Sequence, residues 1–166
     1  MTHRNQYIYS AQNILIKLSL SFTEEELKKG NLLTVIQRMS TEWSLTFSVQ
    51  FKSGGTIDTV WCNIIHLTHN GDHESHGDQI PVLFIRQDSG VVTQHRIVYD
   101  INSDRTSILL TESTTVGEWD HFEFHQRYVS GGICCFFVKR NGEEIKSIIN
   151  TDARQWYNVK LYAGNP

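Results

Sequence analysis

The chain has 166 residues and a formal net charge of -3, which is enough length for one domain with a substantial core. It has no block of like charges, so it lacks the electrostatic footprint that nucleic acid or a membrane surface would require. No apolar run is long enough to cross a bilayer, so we expect no membrane insertion. A single domain over residues 1–166 is predicted, and the composition leaves the oligomeric state open.

The N-terminus is polar and lacks the pattern of a signal peptide. That is consistent with a cytosolic protein or with a segment of a longer secreted one. Because the chain ends at Asn165 and Pro166, directly after an apolar run, we favour the second interpretation and expect an extracellular protein.

Three cysteines are present, and an odd number cannot be fully paired within one chain. Cys134 and Cys135 are neighbours in a predicted strand, so they point to opposite faces and do not suit a bond with each other. A bridge from Cys62 to one of them is possible, but buried free thiols are the favoured interpretation. No Cys-x-x-Cys pattern indicates a zinc site.

The predicted elements are almost all strands. Residues 13–20 alternate in part and predict a first strand. Thr23 and Glu26 form a capping box that Gly30 closes, which predicts at most one short helix. Residues 43–51 alternate strictly between apolar and polar side chains and predict a strand with one buried face. Further strands are predicted over residues 61–67, 80–85, 91–101, 107–110, 119–128, 133–139, 145–149 and 156–162.

About ten short strands with turn residues between them are typical of an all-β sandwich or barrel. The dipeptide Asn141-Gly142 predicts a type I′ hairpin between two of these strands. The side chains that we expect in the core are Trp43, Phe47, Val49, Trp119, Phe122 and Phe124.

The polar loop over residues 68–79, held between two apolar strands, is the strongest candidate for a site. Its carboxylates and carbonyls are the oxygen ligands that calcium prefers. Histidines in and beside the loop, from His66 to His76, leave zinc as an alternative, and a plain surface loop is a third. The expected calcium ligands are Asp78, Asp72 and Asn70, with backbone carbonyls near His66 and Gly71.

Six segments resemble a known family when taken in order. They are residues 30–33, 42–47, 77–81, 119–124, 138–143 and 158–163. Together they look like the laminin-G-like branch of the concanavalin A-like jelly rolls, as found in extracellular proteins of marine invertebrates. The resemblance covers about residues 14–166. It implies an antiparallel β-sandwich jelly roll with at most one short helix.

In this family the loop that matches residues 66–78 often lies beside a calcium ion, and the residue after the last strand often adds an oxygen. Here that residue is Asn165, where the family commonly has Asp. The resemblance therefore implies a calcium site that Asn165 helps to complete.

Glu118, Asp120 and Glu123 match the Glu-x-Asp-x-x-Glu spacing of retaining glucanases that share the jelly roll. On a bulged strand the three carboxylates would fall on one face. Their neighbours differ from the aliphatic residues of those enzymes, and no tryptophan-lined cleft is evident, so we expect no enzymatic activity.

The expected function is a non-enzymatic, calcium-supported binding or adhesion module outside the cell. It would be lectin-like and recognise a glycan or a protein surface, and Trp156, Tyr99 or Tyr162 would supply a ring that stacks on a sugar. The alternatives are a retaining glycoside hydrolase that uses Glu118 and Glu123, and a purely structural matrix module.

Overall fold

A computed structural model describes residues 16–19, 30–50, 61–69, 77–88, 91–102, 104–110, 114–115, 117–164 and 166. Within these ranges the chain forms strands and no helix, so the predicted all-β class is confirmed. The predicted short helix lies outside the described residues, apart from Gly30. The strands are β1 (Ile16–Ser19), β2 (Leu32–Met39), β3 (Trp43–Gln50), β4 (Cys62–Thr68), β5 (Val82–Asp88), β6 (Val91–Ile101), β7 (Asp104–Leu110), β8 (Trp119–Ser130), β9 (Ile133–Arg140), β10 (Glu143–Asn150) and β11 (Trp156–Ala163).

The strands build two sheets. The five-stranded sheet has the order β1-β3-β8-β9-β10, and the six-stranded sheet has the order β2-β11-β4-β5-β6-β7. Every pairing is antiparallel except that of β1 with β3, which is parallel. This two-sheet sandwich confirms the predicted architecture and is consistent with a jelly roll.

The core fills the space between the sheets with one face of each strand. Trp43, Phe47, Phe122 and Phe124 are buried as predicted, and Val49 is half-buried and packs against them. Aromatic side chains contact each other along the five-stranded sheet, where the Phe47 and Phe122 rings stack at 5.6 Å.

Trp119 was predicted in the core, and this prediction is wrong, because its side chain is 62% exposed. β8 pairs with β3 in unbroken register from Trp119 to Gln126, so its side chains alternate strictly between the two faces. Phe122 and Phe124 point inward. Trp119 is an odd number of positions from Phe122 and therefore points outward.

Strand β2 is an element that the apolar patterns do not predict. It lies at an edge of the six-stranded sheet, and only Ile36 and Met39 among its side chains are buried. An edge strand with so little burial has no regular period of two for the sequence to reveal.

Cys62, Cys134 and Cys135 form no disulfide with one another, as the favoured interpretation expects, but only Cys134 is buried. In the described part of the chain there is no helix with the length and hydropathy that a bilayer span requires.

Candidate functional site

The predicted calcium loop is described only at its two ends. Asn70, Gly71, Asp72 and Asn165 lie outside the described residues, whereas His66 and Asp78 lie within them. The calcium prediction can be compared with the structure only at these two positions.

His66 is a core residue whose imidazole is fully engaged by the protein. Its side chain is buried, and Nδ1 accepts a hydrogen bond from Asn63 Nδ2 at 3.1 Å. Its Nε2 donates to the carbonyl oxygen of Asp78 at 2.5 Å. These two bonds fix one neutral tautomer, so the imidazole joins strand β4 to the end of the loop and has no nitrogen left for zinc.

Asp78 is buried with 0% exposure, and its Oδ1 accepts a hydrogen bond from Thr68 Oγ1 at 3.4 Å. Calcium needs six to eight oxygens, and one carboxylate provides only a small part of them. The described residues contain no group of three His, Cys, Asp or Glu side chains that could hold a metal ion. The calcium site therefore depends on residues 70–72 and 165 and stays a prediction.

The end of the loop is anchored to strand β6 by Asp100. Its Oδ2 accepts hydrogen bonds from the backbone N–H of Gly77 at 2.8 Å and of Gln79 at 3.2 Å. The Gly77 backbone has a φ of +95°, which is the left-handed region that favours glycine. A Cβ at Gly77 would lie 2.8 Å from Cζ3 of Trp156, so the loop end packs directly against the indole.

A pocket opens beside this anchor, between the two sheets. Its enclosed volume is about 20 Å³, and it widens into open solvent. Aromatic and aliphatic side chains form its walls, and amide, carboxylate and guanidinium groups lie among them. We call it the inter-sheet pocket, and its lining residues are Trp43, Ile80, Pro81, Tyr99, Asp100, Ile101, Gln126, Phe136, Asn150, Asp152, Arg154 and Trp156.

Tyr99 gives the inter-sheet pocket its most unusual group. Its side chain is 2% exposed, and its ring contacts the Phe136 ring at 4.7 Å across the two sheets. The hydroxyl has no hydrogen-bond partner among the described residues. Burial raises the pKa of Tyr99 above its ordinary value, so the group is a neutral phenol that can both donate and accept a hydrogen bond.

The other polar groups of the inter-sheet pocket are held in place by each other. Asn150 Nδ2 donates to Gln126 Oε1 at 2.6 Å, and Asn150 Oδ1 accepts from the backbone N–H of Asp152 at 3.0 Å. At the rim, the Arg154 guanidinium donates two hydrogen bonds to Asp152, at 3.0 and 2.6 Å. The pocket thus presents oriented acceptors and donors beside aromatic rings.

Two of the three rings predicted for sugar stacking, Trp156 and Tyr99, line the inter-sheet pocket. Tyr162 does not line it and pairs with His66 within the six-stranded sheet. Sequence reasoning missed Asn150, Asp152 and Arg154. Their only signal was a cluster of polar residues directly before Trp156.

The predicted catalytic carboxylates do not form the expected arrangement. β8 has no bulge between Asp120 and Glu123, so these two side chains point to opposite faces. Asp120 is buried, Glu123 is half-buried on the outside, and Glu118 is exposed ahead of the strand. The three carboxylates therefore do not share one face.

Asp120 instead belongs to a buried polar cluster at the other end of β8 from the inter-sheet pocket. Arg140 donates to both carboxylate oxygens, at 2.9 Å each. Thr114 Oγ1 donates to Asp120 Oδ2 at 2.5 Å and lies 3.0 Å from His95 Nε2. Burial alone would raise the pKa of Asp120, but the hydrogen bonds and charge of Arg140, together with Thr114, outweigh it and hold the pKa below its usual value. The cluster joins the two sheets.

No family model and no curated protein matches this chain. Among solved structures it is similar to an endo-β-1,4-glucuronan lyase from the fungus Trichoderma reesei, with 12% identity and a TM-score of 0.49. The match covers 82% of this chain and 57% of that chain, so this protein spans little more than half of the lyase's length. An identity of 12% carries no information about activity.

Proposed function

We propose that the chain is a non-enzymatic binding module of an extracellular protein and that it recognises the end of a glycan in the inter-sheet pocket. The observation that carries this proposal is the buried hydroxyl of Tyr99, because Tyr99 lines the pocket and its hydroxyl has no hydrogen-bond partner among the described residues. A buried hydroxyl without a hydrogen bond costs about 1–3 kcal/mol. A ligand hydroxyl that pairs with it removes that cost.

The composition of the inter-sheet pocket suits a sugar. Sugar rings have an apolar face, which an indole such as Trp156 can cover, and an edge of hydroxyls, which both donate and accept hydrogen bonds. Asp152 supplies acceptors, and Asn150 supplies both kinds of group. Because Gln126 orients the Asn150 side chain and Arg154 orients the Asp152 carboxylate, little side-chain freedom would be lost on binding.

The size of the inter-sheet pocket favours contact with the end of a ligand. Its enclosed part has about 20 Å³, which is room for roughly one water molecule or one hydroxyl group. The sugar at the end of a glycan would therefore rest at the rim beside Trp156 and direct one hydroxyl into the pocket. The extracellular assignment rests on the resemblance of the sequence to laminin-G-like modules.

The test is a glycan array probed with the chain in millimolar calcium, followed by titration calorimetry with the best short oligosaccharide. Tyr99→Phe should weaken binding roughly threefold to tenfold, the value of one hydrogen bond. The same substitution should leave the thermal midpoint equal or raised, because it removes an unpaired hydroxyl from the interior.

Tyr162→Phe is the matched control, since it deletes the same atom from a half-buried tyrosine outside the pocket. It should bind like the parent chain. An array without any bound glycan, or equal affinity loss in Tyr99→Phe and Tyr162→Phe, would refute the pocket as a glycan site.

We propose, in addition, that calcium supports this module through the loop over residues 66–78. The support is the acidic sequence of the loop and the location of its described end, where Gly77 contacts Trp156 and Asp100. Asp78 and the residues outside the described ranges, Asp72, Asn70, Gly71 and Asn165, would hold the ion. Bound calcium would contribute a charge that neutralises the loop carboxylates.

A further inference from the structure

The five-stranded sheet presents a second set of functional groups on its outer face, which is the face turned away from the six-stranded sheet. The period of two along β8 places Trp119, His121, Glu123, His125 and Arg127 on this face, because the side chains between them are buried. None of these five residues lines the inter-sheet pocket.

The neighbouring strands extend this outer face sideways. Ser48 of β3 is the register partner of His121. On β9, Phe137 lies opposite His125 and Lys139 lies opposite Glu123. The face is therefore a continuous surface across three strands.

Hydrogen bonds hold the polar groups of the outer face in fixed orientations. His125 Nε2 donates to Glu123 Oε2 at 2.9 Å, and Ser48 Oγ lies 2.9 Å from His121 Nδ1. The hydrogen bond from His125 is the main cause that holds the pKa of Glu123 below its ordinary value, so Glu123 is an ionised acceptor.

The middle of the outer face is also packed. Phe137 points outward, yet it is only 8% exposed. The His125 ring stacks on it at 4.6 Å with an interplanar angle of 11°, and the Arg127 guanidinium lies 5.2 Å from its centroid. This arrangement gives the imidazole and the guanidinium a firm base.

Trp119 completes the outer face with a large, open aromatic surface. Its side chain is 62% exposed, although it stands within a regular strand. Arg127, at the other end of the row, follows eight residues later on β8, which corresponds to about 27 Å along the strand. A row of this length suits an extended ligand and exceeds what one sugar ring would use.

The charges of the outer face indicate an uncharged ligand. Arg127 and Lys139 are balanced by Glu123 and by Glu144, which lies opposite Lys139 on β10. A strongly acidic or basic partner would meet like charges as well as opposite ones. Oriented donors and acceptors next to an open indole match the hydroxyls and apolar ring faces of a neutral polysaccharide.

We infer that the outer face binds an extended, neutral polysaccharide chain that runs along β8. Trp119 stacks on one sugar ring, and His121, Glu123 and His125 form hydrogen bonds with hydroxyls farther along the chain. This surface is separate from the inter-sheet pocket, because the five-stranded sheet lies between them.

Affinity electrophoresis of the chain through gels that contain a soluble polysaccharide tests this inference. The neutral probes are soluble β-glucan, xyloglucan and galactomannan, and the acidic probes are polyglucuronate and heparin. At least one neutral polymer should retard the parent chain, and Trp119→Ala should reduce that affinity by tenfold or more.

Tyr157→Ala is the matched control, because Tyr157 is a 52%-exposed aromatic residue on the other sheet. It should be retarded like the parent chain, and both variants should melt like the parent chain. No retardation by any neutral polymer, retardation by the acidic polymers alone, or equal losses in Trp119→Ala and Tyr157→Ala would overturn the inference.

Discussion

Gly77 occupies a position in which a residue with a Cβ would be strained. Both its positive φ and its contact with the Trp156 ring exclude a Cβ. Gly142, in the hairpin between β9 and β10, has a similar φ of +85° but nothing within 4 Å of an added Cβ. A substitution at Gly142 therefore reports backbone strain alone, whereas a substitution at Gly77 reports backbone strain and steric overlap together.

We predict that Gly142→Ala lowers the free energy of unfolding by about 1–2 kcal/mol, the cost of a left-handed conformation. Gly77→Ala should cost this amount plus roughly 1–3 kcal/mol for overpacking against Trp156. Urea unfolding of the parent chain and both variants measures the difference. Equal costs for the two substitutions would show that Trp156 moves aside freely.

Asp120 is a structural carboxylate and not the catalytic one that its spacing suggested. Its replacement by Asn would leave the Arg140 guanidinium buried without its counter-charge. Breaking one side of such a buried pair typically costs about 3–5 kcal/mol. We therefore predict a loss of that size for Asp120→Asn at pH 7.

This loss should depend on pH in a defined direction. The folded pKa of Asp120 is lower than the unfolded one, so its stabilisation is full above the unfolded value of about 3.9 and disappears as the pH falls through the folded pKa. The stabilities of the parent chain and Asp120→Asn should converge below about pH 4. Asp152→Asn, at the exposed rim, is the control and should show a far smaller loss at pH 7. A gap between parent and Asp120→Asn that stays constant down to pH 2 would contradict this account.

In strands β3 and β8, alternate side chains point into the core and onto the outer surface. Phe47 packs on Phe122 and Phe124 between the sheets, whereas Trp119 lies on the outside. We predict that Phe47→Ala lowers the free energy of unfolding by about 3–5 kcal/mol. Trp119→Ala should change it by no more than about 0.5 kcal/mol. Chemical unfolding of both variants tests the pair, and a large loss for Trp119→Ala would show that its indole is part of the core.

The β9–β10 hairpin is the element that the sequence predicts best. Asn141 and Gly142 have φ values of +52° and +85°, which agrees with the type I′ turn expected from this dipeptide. The prediction is successful because a two-residue turn depends on only these two residues and the strands that flank them. By contrast, the prediction that Trp119 lies in the core is wrong, because its position relative to Phe122 requires the opposite face.

Calcium would act on the molecule as a whole, because it would close the loop that Trp156 and Asp100 hold at its described end. Extracellular modules bind calcium with a Kd of about 10⁻⁴–10⁻³ M. A ligand that binds only the folded state at millimolar concentration should then add roughly 1 kcal/mol. We predict a higher thermal midpoint in 1–2 mM calcium than in chelator.

Asp78→Ala should lose this calcium-dependent shift, and so should Asp72→Asn. Asp78 is also buried and hydrogen-bonded to Thr68, so its variant should melt earlier in either solution, and only the difference between the solutions reports on calcium. An unchanged thermal midpoint in the parent chain would show that calcium does not stabilise the fold. Equal calcium-dependent shifts in the parent chain and both variants would show that calcium binds through residues other than Asp78 and Asp72.

The amino-acid pattern is sufficient to predict every described strand except β2, most of the inward faces and the β9–β10 turn. These features arise from neighbours in the chain, since alternation, turn chemistry and backbone propensity are local properties. The pattern is also sufficient to predict an all-β sandwich or barrel, because about ten half-buried strands must cover each other's apolar faces. The choice of the two-sheet sandwich came from the resemblance to the jelly-roll family.

The tertiary structure alone decided which strands are neighbours and therefore what the surfaces contain. Tyr99, Asn150 and Trp156 come from β6, β10 and β11, which belong to two different sheets, and together they line the inter-sheet pocket. Likewise, Phe137 and His125 stack because β9 pairs with β8 in one particular register. Such pairings depend on the packing of the whole core and on hydrogen bonds between distant segments, and no local pattern of side chains encodes them.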